Sequence, residues 1–139
     1  MQIIAHDHAT ADQAQATVLP IANDAELAEL VAGGALQGVQ RVELHFPKFT
    51  DGRAYTQAVL LRRRYQFAGD IRATGDVLID QLVHMQRSGF SSAVLAPGVD
   101  ASAAQRQFDR FADFYQGDVL EPRPLFARLA QAEALLEAA

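Results

Sequence analysis

The chain has 139 residues, a formal net charge of −5, half of its residues apolar and no cysteine. That length gives one domain with room for a core. The missing cysteine excludes disulfides, thiolate nucleophiles and cysteine-ligated zinc or iron–sulfur clusters. No apolar run reaches the ~20 residues of a membrane span, and the acidic balance argues against general nucleic-acid binding. The N-terminus lacks the basic start and apolar stretch of a secretion signal, so a cytoplasmic location is expected.

The predicted elements alternate along the chain. Thr17–Ile21 reads as a short strand, with Pro20 placing it near an edge or at its end. Asn23 and Glu26 form a capping-box-like start for a helix over 24–32, stopped by Gly33-Gly34. Val42–Phe46 alternates as a strand, and Ala54, Ala58, Leu61 and Tyr65 have helical spacing. A third strand covers 70–73, followed by a helix over 77–87 that Gly89 ends. A fourth strand covers 92–96. Asp100 then caps a helix with Phe108, Phe111 and Tyr115 on one stripe. After Pro122 and Pro124 a last helix carries the seam Leu125, Leu129, Ala132 and Leu136. Strands alternating with helices imply an α/β fold of four βα units around a parallel sheet, as an open sandwich or a half-barrel, with an extra C-terminal helix.

Charge is unevenly spread. From Arg41 to Arg72 seven basic residues face Glu43, Asp51 and Asp70, a local +4 that leaves −9 for the rest. A basic middle in an acidic protein suits a small anion or an acidic partner surface. Arg62, Arg63 and Arg64 also read as a solvated helix face.

Two strand-to-helix turns concentrate the chemistry. In a parallel sheet such turns lie on the face where ligands bind. Lys48, Asp51 and Arg53 mark the first, where helix amides and a forked cation suit an anion; alternatively, Asp51 caps the helix while Arg53 pairs with Asp76 or Asp80. Arg72 and Asp76 flank the second turn. An Arg on a buried strand must be paired or bound to something, and Gly75 suits a turn that needs positive φ or a close approach. Asp76, Asp80 and His84 fall on one face of the expected helix, with Asp80 and Gln81 as supports of a pocket that binds an oxyanion. Asp80 with His84, or His6 with His8, falls short of a metal site, because further ligands would have to come from elsewhere. No G-x-S-x-G, G-x-G-x-x-G or Walker-type loop is present, so no redox cofactor is expected.

The same residues resemble a known family. Phe46, Pro47, Phe49, Asp51, Gly52 and Arg53 are followed by Leu61, Arg62 and Arg64. Gly69, Arg72, Ala73, Gly75, Asp76, Val77, Leu78, Asp80 and Gln81 come next, then Arg87, Gly89 and Phe90. This pattern is similar to the bacterial family catalogued as domain of unknown function 934. Its members are often labelled as oxidoreductases of sulfite reduction, through the proximity of their genes to sulfite reductase. The resemblance implies an accessory or partner protein of assimilatory sulfite or sulfate reduction, with sulfite reductase as a partner. A small enzyme with Asp51 or Asp76 as acid/base and Arg53 and Arg72 as clamps stays open as the alternative.

A sheet with uncovered edges and a C-terminal helix with an apolar seam point to a homodimer or larger assembly. Light scattering at micromolar concentration should return at least a dimer mass; a monomer mass refutes this reading.

Overall fold

The computed structural model describes residues 1–9, 16–111 and 113–138. Five parallel strands form one sheet: β1 (Gln2–Ile4), β2 (Val18–Ile21), β3 (Arg41–Phe46), β4 (Asp70–Gly75) and β5 (Ser92–Val94), in the order β1-β5-β4-β3-β2. The helices are α1 (Leu27–Ala32), α2 (Arg53–Arg63), α3 (Leu82–Ser88), α4 (Ala104–Asp109) and α5 (Leu125–Glu137). The parallel α/β expectation holds, with one addition. β1 is a fifth strand, too short at three residues to show a period of its own, and it pairs with β5 at the sheet edge. The opposite edge is β2, and its Pro20 sits where a missing N–H is tolerated.

From β2 to β5 each strand lies beside the one before it in sequence, as in a singly wound sheet. Val42, Leu44, Phe46, Ile71, Ala73 and Ala93 share one face of it. They form a single core with Leu27 of α1, Ala54, Ala58 and Leu61 of α2, Leu82 and Met85 of α3, and Ala104 of α4. Burying each of the larger side chains contributes ~1.5–3 kcal/mol. The alternate residues, including Glu43, His45, Arg72, Thr74 and Ser92, project to the other face, because successive side chains of a strand point to opposite sides. No described helix contributes to a core there. Fully covered parallel strands read as continuous apolar runs, so the alternation in β3 is itself the mark of a sheet with one polar face.

Several local expectations give way. Asn23 and Glu26 form no capping box: α1 starts at Leu27, Glu26 is its N-cap residue without a side-chain bond, and the Asn23 amide donates to Asp51 at 2.7 Å. The helix expected from residue 77 begins only at Leu82, after a 3-10 turn over Ile79–Gln81. Asp76, Asp80 and His84 therefore do not share a helical face. α4 ends at Asp109, so Phe111 and Tyr115, 60% and 83% exposed, form no stripe with Phe108. The seam residues Leu129 and Leu136 of α5 are exposed, and no residue of that helix is buried. The Asp100 cap forms as expected, accepting from the Ser102 amide.

Gly75 turns the chain out of β4 at φ +90°, and a Cβ there would collide with the Phe46 carbonyl oxygen. Gly38 has φ +73° with nothing within 4 Å of its Cβ position. Gly75→Ala should therefore cost about 3 kcal/mol or more, since strain and overlap add, and Gly38→Ala about 1 kcal/mol from strain alone. Urea denaturation of both variants checks the difference; equal costs would remove the close-approach argument.

Candidate functional site

The turn after β3 is built by side chains from its neighbours. Asp76 accepts from the Phe49 amide at 2.8 Å, the Gln81 amide donates to the Phe49 carbonyl at 2.9 Å, and the Asp76 amide donates to the Phe46 carbonyl at 2.8 Å. Asp76 and Gln81 thus fix the main chain that carries Lys48. The two turns do meet as expected, but their opposite charges do not pair across the gap. Arg53 forks onto Asp51 of its own turn, through Nε at 3.0 Å and a terminal nitrogen at 2.7 Å. That bond chiefly, with the Asn23 bond adding to it, holds the Asp51 carboxyl down to about 2. Asp51 also accepts from the Arg53 amide at 3.3 Å, as a helix cap would. Lys48, Arg53 and Asp80 are exposed.

The cleft lies elsewhere, across the carboxyl ends of β3, β4 and β5 on the polar face. It measures about 570 Å³. β3 supplies Glu43 and His45; β4 and its turn supply Arg72, Thr74, Gly75 and Asp76. Residues 94–97 make an apolar wall, and His6 and Ala9 complete the lining. A second cleft of about 550 Å³ shares Glu43, His45 and Thr74 with the first and continues to Pro20, Ala22 and Pro47. Of the seven residues expected at one pocket, the structure brings Arg72 and Asp76 to the first cleft. Lys48, Asp51, Arg53, Asp80 and Gln81 stand at the β3–α2 turn and its supports.

Arg72 is 2% exposed. It reaches Ser92 Oγ through Nε at 2.9 Å and Asp70 at 3.3 Å, so the expectation of a paired buried arginine holds. Asp70 also receives Arg41 at 3.0 Å and the hydroxyls of Ser91 and Ser92 at 2.6 and 2.8 Å. Among the described residues no group of three or more His, Asp or Glu could hold a metal ion. The site members missed in sequence are Glu43, His45, Thr74 and His6. The alternation of β3 carried the signal for the first two: with Leu44 and Phe46 inward, Glu43 and His45 must face the open side.

Arg62 corrects the solvated-face reading. Its guanidinium donates to the carbonyls of Gly89, Phe67 and Gly69 at 2.9, 2.7 and 2.7 Å, tying the end of α2 to the start of β4 and the end of α3. Arg63 and Arg64 are exposed, as that reading had them. Arg87 is likewise structural: it pairs with Asp118 at 3.1 Å, donates to the Gln116 carbonyl and lies over the Phe114 ring.

The fold and the site define the class: a parallel α/β protein with helices against one sheet face and a ligand-sized cleft on the other. The model of the family described as bacterial protein of unknown function (DUF934) matches residues 18–126, and the chain belongs to that family. Neither the curated proteins nor the solved structures gave a match to the chain. No described helix is long and apolar enough to cross a membrane.

The Asp51 shift has a sign that can be tested. A carboxyl held at about 2 against an ordinary 3.8 adds stability above the ordinary value and loses it as pH falls from there toward 2. Carbon-detected titration should place the Asp51 midpoint near 2, and Arg53→Ala should move it up toward the ordinary value. An unmoved midpoint would refute the pairing.

Proposed function

We propose that this protein binds a small oxyanion in the cleft at the carboxyl ends of β3–β5. We place it in assimilatory sulfite or sulfate reduction as an accessory or partner protein, with sulfite reductase as its partner. The observation that carries the anion is Arg72, a 2% exposed arginine among the residues that line a 570 Å³ cleft. A fixed, desolvated cation acts on an oxyanion more strongly than an exposed one. His45, His6 and Thr74 supply further hydrogen-bonding groups to the same space. Glu43 and Asp76 would repel a bare dianion and can accept from a monoprotonated one, which suits hydrogen sulfite. The pathway rests on the family resemblance, and the same reading makes the chain a cytoplasmic homodimer.

A second reading, a small enzyme acting on an anionic substrate, is favoured by Glu43 and His45 lining the same cleft as Arg72. A proton carrier and an anion clamp would then share one space. Asp51, held ionised down to about 2, is a poor proton donor near neutrality, which leaves Asp76 as the acid/base candidate of the original pair.

Calorimetric titration with sulfite should show binding that Arg72→Lys weakens about tenfold, because the fork is lost while the charge stays. Circular dichroism should remain unchanged. In a deletion strain grown on sulfate as sole sulfur source, Arg72→Lys should fail to restore growth. Full complementation by Arg72→Lys together with failure of Arg53→Ala would move the functional surface from the cleft to the β3–α2 turn.

A further inference from the structure

From the two adjoining clefts we infer that the ligand is an organic anion, an oxyanion head on an apolar body, rather than a bare inorganic ion. This inference rests on the reading that the first cleft takes an anion. Clefts of about 570 and 550 Å³ each fall within the ~300–1,000 Å³ that holds a drug-sized organic molecule. Both are lined by Glu43, His45 and Thr74, so they adjoin across those three side chains. Most of the polar lining comes from β3 and β4, with His6 and Asp76 added in the first cleft and Asn23 in the second. The first cleft has an apolar wall in Val94, Ala96 and Pro97, and the second continues past Pro20, Ala22 and Pro47. An inorganic oxyanion would meet Arg72 and leave both walls wet. A molecule with an apolar body would cover them, and each buried methylene would tighten binding. The head belongs at Arg72, which lines only the first of the two, and the body runs over His45 toward Ala22 and Pro47.

The experiment is a calorimetric series on the full chain: sulfite and sulfate, then methanesulfonate, butanesulfonate, hexanesulfonate and benzenesulfonate. Affinity should rise about fourfold per fully buried methylene, with the longer sulfonates ahead of both inorganic ions. Ala22→Phe, which fills the second cleft, should flatten that rise beyond butanesulfonate; Pro47→Trp reads the same cleft if Ala22→Phe does not fold. Binding of sulfite with no gain along the series overturns this inference and leaves the oxyanion reading standing. An undiminished rise in the folded variant overturns the two-cleft path. Failure of sulfite, sulfate and every sulfonate to bind overturns both readings together.

Discussion

One carboxylate ties three parallel strands together on the polar face of the sheet. Asp70 of β4 receives Arg41 from β3, Arg72 from its own strand, Ser92 from β5 and Ser91 just before it. Arg41 and Arg72 are 6% and 2% exposed. Burying such charges is expensive, and mutual attraction offsets the cost only when the geometry is good and the remaining lone pairs are filled. Here the serine hydroxyls fill them. Removing one partner from such a network typically costs ~3–5 kcal/mol, because the other charge is stranded. The register of β3, β4 and β5 is thus held from both sides of the sheet, by apolar packing on one face and by this network on the other. Rigid strands in turn fix Glu43, His45, Arg72 and Thr74 relative to one another, which a binding cleft requires.

The residues that carry the family resemblance divide in the same way. Gly69 and Gly75 leave no space for a Cβ, Phe90 is 1% exposed, and Arg62 and Arg87 bind main-chain carbonyls. Asp76 and Gln81 fasten the turn after β3 through the Phe49 main chain. A pattern rich in Arg, Asp and Gly looks like a site in sequence, yet most of it here satisfies orphan backbone groups at helix and strand ends. Arg72, Gly75 and Asp76 differ from the rest because they also line the cleft.

The fold was largely legible because its strands and helices carry different periods, and Val42–Phe46 and Ala54–Leu61 each show theirs within a few residues. β1 was not, since three residues have no period and its pairing with β5 spans most of the chain. The capping box failed because α1 starts only at Leu27, which leaves Asn23 short of the cap position; its amide instead donates to the Asp51 carboxylate, a tertiary contact that local propensity does not contain. The helix after β4 began late because its first turn is taken up by holding Phe49. For the candidate cleft, two lining residues, Arg72 and Asp76, were among those the sequence singled out. It concentrated on the charged turns and passed over Glu43 and His45, whose place depends on which face the helices leave open.

That open face also bears on why the cleft, rather than the turn, is the proposed place of binding. At the turn, Arg53 is 59% exposed on its side chain and already forked onto Asp51, so a ligand would have to displace a good carboxylate in water, where exposed pairs gain little. In the cleft, Arg72 keeps its bonds to Ser92 and Asp70 while its strand neighbours line the space around it. Under the proposed reading, a ligand there would meet a cation already held in place, and preorganisation is what lowers the cost of binding. The singly wound sheet supplies that arrangement directly. With helices gathered on one face, the polar residues of β3 and β4 are left together on the other, next to the strand ends where the chain turns.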